Sequence, residues 1–583
     1  MKSTSGGELI AQMLAAEGVE VVFGIIDGSY FGLYSSLVKH GIKLVTPRHE
    51  TSAAHMAGAY ARLSGRLGVC IASNGPGVAN VLPGVAVENG EGNRVLLITS
   101  SRRSGTAYPD RGGTFQYFNQ VAVTKPMSKW SGSAPSFERI PELLHRALRI
   151  SFKGRPGVVH FDVPENIING KFKSAAEVLA PERYRMTEPI APSPAQVSQA
   201  ADLLSSAVYP MIHAGSGVIH AGATRELARL AEYLQAPVST SWAGRGVISE
   251  RSPLALPMQC IDLNQRVRNQ ADLVLVLGSR VGETDWWGKA PYWSRASQQR
   301  LIQVDIDEEI FGLNRPLDLA VLGDVGCFLS ALLEELERRA SPANIAERRA
   351  KIAAMANAKA AVRSDLDKAL ANDGAPMHPS QVPSICRAFF DDDAVVVADG
   401  GNTVVWVNFY HEVREPLTML STFKFGMLGA GVSQALGAKI ARPDKQVYCI
   451  IGDGAMGFHF QEIETAVRNH LPVIYLVMCD KQWGMVKINQ QFALKPVKTM
   501  VRKSLDPEET INADFSPVRY DKLAQAMGAH GEIVAEPSEL EPALTRCVAS
   551  GLPSVIHVDV DPVAHMWAPK LKVFKDMHAE PKG

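Results

Sequence analysis

Short apolar runs recur along the chain, each closed by a small or an acidic residue and followed by a stretch whose apolar positions lie three and four apart. In the first third VEVVFGI, VCIAS, RVLLITS and GVVHFDVP alternate with helical spacing of the kind seen in GELIAQMLAAEG. The middle repeats the rhythm with YPMIHAGSGVIHAGA, ADLVLVLGSR and RLIQVDID ahead of the helix FLSALLEELERRA. The last third holds AVVVADGGN, QVYCIIGDG, VIYLVMCD and SVIHVDV. Runs this continuous predict parallel strands buried on both faces, and their alternation with helices predicts doubly wound sheets. The expected fold class is therefore α/β, with three doubly wound parallel-sheet units at residues 1–175, 193–340 and 376–565 and a tail at 566–583. Ser174 to Pro194 reads as one linker, and the Ala-rich stretch from Pro342 to Asp373 as a helical second one.

Composition narrows the partners. A chain of 583 residues exceeds one core, and at about 100 to 200 residues per domain it accommodates about three. Lys plus Arg and Asp plus Glu both number 60, so no net field favours nucleic acid or an anionic membrane. Small molecules are the expected partners. The 7 cysteines are scattered, without metal-ligand spacing, as in a reducing compartment. No apolar run reaches the ~18 residues of a membrane span, and MKSTSGGELIAQML lacks the apolar core of a signal peptide, so the expected location is the cytoplasm.

Candidate chemistry concentrates in CIIGDGAMGFHFQEIETAVRNHLPVIYLVMCDKQWGMV. A strand ends in Gly452, Asp453 and Gly454 and a helix follows. Glycines in such a turn let backbone amides approach a phosphate, and an aspartate between them can hold the divalent ion that bridges phosphates. The next strand ends at Asp480. If the two strands are neighbours in a parallel sheet, both carboxylates emerge at one edge. A tight turn and a solvated strand-end acid are the plainer readings of the same residues.

This segment resembles the thiamine-diphosphate-dependent decarboxylase and carboligase superfamily, in particular its acetolactate-synthase-like branch, which includes the 2-hydroxyacyl-CoA lyases. The resemblance assigns the metal to Asp453, Asp480 and the Gln482 carbonyl, and the diphosphate to Gly452, Gly454 and Ala455. Where the family has Asn-Asn this chain has Cys479-Asp480, so a charged ligand replaces a neutral one, with Lys481 expected to offset part of the charge. RHETSAAHMAGAYARLSGRLGVCIASNGPGVAN looks like the family's pyrimidine-binding region. Its glutamate is Glu50, which would hydrogen-bond a ring nitrogen of the aminopyrimidine and so drive loss of the thiazolium C2 proton; capping the helix Thr51 to Arg62 is the plainer role. Pro76 in the GPG turn and Asn80 beyond it are further cofactor-binding candidates.

In DGGNTVVW the resemblance places Asn402 and Thr403 on the diphosphate, where an Asx turn is the alternative. In STFKFGMLGAGVSQALGA it places the Gly426 carbonyl on the pyrimidine amino group and Leu428, otherwise a core residue, as the wedge that bends the cofactor. Asp27, Gly28 and Ser29 would line the catalytic loop, with Phe115 and Gln116 nearby. The second of these loops lacks the His-His pair of pyruvate decarboxylases, which counts against simple aldehyde release from pyruvate. The middle unit is similar to the part that holds FAD in acetolactate synthases and ADP or coenzyme A in the acyl-CoA branch. Arg155 and Arg280 are phosphate candidates there, or structural arginines. Trp286, Trp287, Tyr292 and Trp293 form an aromatic group suited to core packing or to stacking a nucleotide.

After GMV this chain has Lys487-Ile488-Asn489-Gln490 where acetolactate synthases carry Arg-Gln-Trp-Gln, and its tail WAPKLKVFKDMHAEPKG brings Lys570, Lys572 and Lys575, suited to coenzyme A phosphates or to solvent. The implied activity is carbon-carbon bond cleavage or formation beside a carbonyl, with thiamine diphosphate and Mg²⁺. A 2-hydroxyacyl-CoA lyase is the first expectation. Acetolactate synthase or another 2-oxo acid decarboxylase or carboligase is the second, and a catalytically silent nucleotide-binding relative the third. The implied substrates are a 2-oxo acid, an aldehyde or ketone, or a 2-hydroxyacyl-CoA. The implied assembly is a homodimer or homotetramer in which Glu50 and Asp453 of different chains share one cofactor.

Overall fold

The computed structural model describes residues 2–174, 177–339, 344–576 and 581. Residues 175–176 of the first expected linker, 340–341 just ahead of the second and 342–343 at its start lie outside them. Three six-stranded sheets, every pairing in them parallel, carry the chain. The first has the spatial order Lys43–Val45, Val21–Gly24, Gly68–Ala72, Val95–Ser101, Val158–Pro164, Trp130–Ser133. In the second the order is Ala255–Leu256, Val238–Thr240, Pro210–Ala214, Leu273–Leu277, Arg300–Asp305, Leu319–Leu322. The third runs Met419–Leu420, Val395–Asp399, Val447–Gly452, Val473–Cys479, Ser554–Asp559, His530–Val534. The second order reverses direction once and the first and third twice, and the reversal beside Val21–Gly24, Pro210–Ala214 and Val395–Asp399 is the topology that opens a crevice at the C-terminal strand ends.

Burial explains why the strands form where they do. Val473–Cys479 and Leu273–Leu277 are buried at every position, as central strands covered by helices on both faces must be. An element absent from the sequence pattern is the antiparallel pair Lys2–Ser5 with Lys171–Ser174, which ties the two ends of the first unit together.

The first and third units share one apolar core that runs from Phe23 and Val85 to Val397 and Ile451. Helix Glu50–Ser64 is the hinge of this packing, buried from Glu50 through Leu63. It lies against helix Ala430–Ala441 so closely that a Cβ on Gly437 would stand 2.3 Å from the Met56 carbonyl oxygen. The catalytic candidates of the two units are thereby mounted on a common helical layer. No helix among the described residues is long and apolar enough to cross a membrane.

Candidate active site

Strands Val447–Gly452 and Val473–Cys479 are parallel neighbours with Gly452 opposite Met478, so Asp453 and Asp480 leave the sheet at the same edge. Asp453 opens a short helix, Asp453–His459, that breaks at Phe460 and Gln461 before Glu462–Arg468. Its carboxylate accepts from the Gly454 amide at 2.7 Å and the Lys481 amide at 2.8 Å. Burial, and next the charge of Asp480, push its pKa up to about 7. Asp480 is also buried, and its Oδ2 lies 2.7 Å from His565 Nδ1 and 3.3 Å from Gln482 Nε2.

Lys481 does not serve as the expected counter-charge. Its backbone turns into the left-handed region at φ 59° and its ammonium lies 3.0 Å from Asp559. The partner of Asp480 is His565, delivered by the C-terminal helix Pro562–Met566.

The residues fit a metal-bound diphosphate. Two buried carboxylates side by side repel each other unless a cation joins them, and hard divalent ions take such oxygen donors. Among the described residues no group of three His, Cys, Asp or Glu surrounds the site, so further oxygens would come from backbone, amide or hydroxyl groups, water or the cofactor. Asn402 is 4% exposed and neither of its amide atoms has a hydrogen-bond partner. A buried orphan of this kind, standing beside the two carboxylates, fits a group that binds there. A Cβ on Gly484 would lie 2.6 Å from Asn402 Nδ2 and 3.0 Å from Asp480 Oδ2, which places these groups together. Thr403 Oγ1 stands beside Gly452, 3.0 Å from where a Cβ would be, and Ala455 is buried behind the turn. Gly426, at φ 66°, has open space around it, and Leu428 packs half-buried on the shared core. A cleft of about 610 Å³ adjoins Asp453 and Gly454, walled by Phe458, Trp483, Phe515 and Tyr520.

In the first unit Glu50 is the first residue of its helix, but the cap is His49, whose Nδ1 accepts from the Thr51 amide at 3.2 Å. That relieves Glu50 of the capping role. The Glu50 carboxylate is buried and receives Asn80 Nδ2 at 3.1 Å on Oε2. Pro76 opens helix Pro76–Glu91 after Gly75 at φ 63°, and a Cβ on Gly75 would stand 2.5 Å from the Gln116 carbonyl oxygen. Asn74 Nδ2 donates to that same carbonyl at 3.2 Å. Gln116 itself sits at φ 54°. Asp27 Oδ1 accepts from the Ser29 amide at 2.8 Å, Gly28 is open, and Ser29 Oγ meets Ser100 Oγ at 2.5 Å. Ser100 Oγ also accepts from the Asn74 amide at 3.0 Å, so the Asp27 loop, the GPG turn and the Gln116 loop converge. Among the described residues no hydrogen bond or ion pair joins Glu50 to Asp453, Asp480 or Asn402 of the same chain.

Sequence reasoning missed Asn74, Ser100, His565 and Glu462. The last accepts from the Arg48 amide at 3.1 and 3.0 Å, tying the third unit to the segment before Glu50. Its only sequence signal is an acid on the apolar side of FQEIET.

At the junction with the middle unit Arg155 donates to the Gly90 carbonyl at 2.7 Å. Burial, then the charge of Arg280, lower its pKa to about 10. Arg280 and Lys424 face it, and burial pushes nearby Asp305 up to about 6. Trp286 stacks on Tyr292 at 4.6 Å and Trp293 is buried with its Nε1 on the Asp285 carbonyl at 2.8 Å, which is core packing. Lys570 pairs with Asp262 at 2.6 Å, while the Lys575 side chain lies outside the described residues.

Three family models match, in chain order. They are the N-terminal TPP binding domain of thiamine pyrophosphate enzymes over residues 4–123, the central domain over 197–332 and the C-terminal TPP binding domain over 399–558. The chain belongs to the thiamine pyrophosphate enzymes and is a thiamine-diphosphate-dependent enzyme of the decarboxylase and carboligase type. It is 31% identical to a probable acetolactate synthase of Mycobacterium bovis over 95% of this chain and 96% of that one. A probable 2-ketoarginine decarboxylase of Pseudomonas aeruginosa is 32% identical over 93% and 90%. The 2-hydroxyacyl-CoA lyase of Arabidopsis thaliana is 28% identical over 96% of both chains.

Proposed function

We propose that this enzyme cleaves or forms a carbon-carbon bond beside a carbonyl, with Mg²⁺ held by Asp453, Asp480 and the Gln482 carbonyl. When bound, thiamine diphosphate supplies a nucleophilic carbon and an electron sink for charge developing next to a carbonyl. The observation that carries the proposal is the pair of buried carboxylates at one sheet edge beside the unpartnered Asn402. Glu50 Oε2 is held by Asn80, which leaves Oε1 to exchange a proton with the cofactor's pyrimidine ring. Asn402 and Thr403 hold the diphosphate, the Gly426 carbonyl and Leu428 set the ring's seat, and Asp27, Gly28 and Gln116 line the substrate side.

The assembly proposed is a homodimer or homotetramer, with Glu50 of one chain and Asp453 of another on one cofactor. Phe31, Tyr108 and Phe115 of the first unit and Val497, Met500 and Val501 of the third support it as exposed apolar side chains that such an interface would cover. Arg155 of the first unit, Arg280 of the middle one and Lys424 of the third form a cationic junction suited to the phosphates of ADP, coenzyme A or FAD.

The substrate reading placed first is a 2-hydroxyacyl-CoA, cleaved to a formyl-CoA-type fragment and an aldehyde or ketone. Asn489 supports it, because it stands where acetolactate synthases carry the tryptophan of Arg-Gln-Trp-Gln that helps select the second oxo acid. The likeness to a probable acetolactate synthase and a probable 2-ketoarginine decarboxylase favours a second reading, a 2-oxo acid carboligase or decarboxylase. Purified enzyme loaded with thiamine diphosphate and Mg²⁺ and given 2-hydroxyacyl-CoA or pyruvate decides between them by product. A silent relative would show no rise in melting temperature with the cofactor.

A further inference from the structure

The replacement of an amide by a carboxylate at position 480 changes what its surroundings must provide. An asparagine side chain brings its own N–H donor and no charge. An aspartate brings neither a donor nor neutrality, so a buried one needs a donor to fix its rotamer and offset its desolvation.

His565 meets that need. It is 3% exposed, and both ring nitrogens are engaged, Nδ1 at 2.7 Å from Asp480 Oδ2 and Nε2 at 3.2 Å from Thr403 Oγ1. Its backbone is seated independently of those contacts. Asp561 caps the helix through the Val563 and Ala564 amides at 2.8 and 3.0 Å, and Trp406 Nε1 donates to the His565 carbonyl at 3.0 Å. Gln482 Nε2 donates to the Pro562 carbonyl at 2.8 Å, so the segment that supplies the third proposed metal ligand is fastened to the same helix. Both hydrogen bonds to Asp480 fall on Oδ2, which leaves Oδ1 as its metal-facing oxygen.

We infer that His565 is a positioning residue that holds Asp480 in its metal-ligating rotamer and sets Thr403 for the diphosphate, replacing the amide donor that an asparagine at 480 would carry itself. This rests on the thiamine diphosphate reading of the site. Partners that orient metal ligands in this way are worth about 10- to 100-fold in metal affinity.

The test is binding, not turnover. Thiamine diphosphate affinity is measured by calorimetry at a series of MgCl₂ concentrations for the wild type, H565A, H565N, D480N and the double variant D480N/H565A. Melting temperature and circular dichroism of the apo forms report folding. The expected result is a loss of about 10- to 100-fold in Mg²⁺-dependent affinity for H565A. H565N, whose amide nitrogen falls near the Nδ1 position, should restore most of it. In the D480N background removing His565 should cost less than about 3-fold, because coupled residues are not additive. Wild-type affinity in H565A, no rescue by H565N, or an equal loss in both backgrounds overturns the inference. Absence of binding by the wild type itself overturns the cofactor reading on which it stands.

Discussion

Replacing Asp453 by asparagine separates the electrostatic cost of the site from its use. In the apo protein the Asp453 carboxyl is pushed from an ordinary 3.8 up to about 7, first by burial and then by Asp480. At ~1.4 kcal/mol per pKa unit, carrying that charge at pH 8 costs the fold about 4 kcal/mol. Because the folded-state pKa is the higher one, this cost is absent below about pH 4, grows as pH rises from there, and is complete above about 7. Asparagine removes the charge but offers one acceptor to the Gly454 and Lys481 amides where the carboxylate offers two, a loss of about 1 to 2 kcal/mol. The expected net effect is an apo protein about 2 to 3 kcal/mol more stable than wild type at pH 8, with the advantage gone near pH 4. Wild type at 100 times the dissociation constant of thiamine diphosphate with Mg²⁺ should gain about 2.7 kcal/mol, and D453N should gain nothing. Urea unfolding followed by tryptophan fluorescence at the two pH values, with and without cofactor, measures all of these. A D453N protein no more stable than wild type at pH 8, or one still stabilised by the cofactor, would refute the reasoning.

N402A removes a buried amide that has no partner in the apo chain, so it should leave apo stability unchanged or raise it by about 1 kcal/mol while weakening thiamine diphosphate binding at least 10-fold. Paired urea and calorimetric measurements check it, and a destabilised apo protein with normal binding would contradict it. G437A places a methyl 2.3 Å from the Met56 carbonyl oxygen and should cost about 1 to 3 kcal/mol by prising the two shared helices apart. An unchanged urea midpoint would show that those helices can slide freely.

The sheets were legible in the sequence wherever a strand is central, because burial on both faces leaves an unbroken apolar run such as VIYLVMC. Edge strands were not. Lys43–Val45, Trp130–Ser133 and His530–Val534 are short and partly exposed, so no run marks them. The pair Lys2–Ser5 and Lys171–Ser174 joins segments far apart in sequence and carries no local signal.

The candidate site divides the same way. Asp453 and Asp480 were readable as acids closing adjacent strands, and Glu50 as an acid heading a buried helix. Their partners were not, since His565, Glu462 and Asn74 reach their contacts only through tertiary packing. Lys481 shows the limit directly. Adjacency in sequence suggested a counter-charge for Asp480, but a left-handed backbone turns the side chain to Asp559, and the side chain that meets Asp480 is His565, on the C-terminal helix.

The most direct measurement is the exchange of the C2 proton of bound thiamine diphosphate for deuterium, followed by NMR after acid quench in wild type and in E50Q. It requires no knowledge of the substrate. The expected result is wild-type exchange far faster than for the free cofactor, and a loss of about 100-fold or more in E50Q with cofactor still bound. Exchange in E50Q at the wild-type rate, or wild-type exchange no faster than in free solution, would contradict the assignment of Glu50 and with it the proposed chemistry of the site.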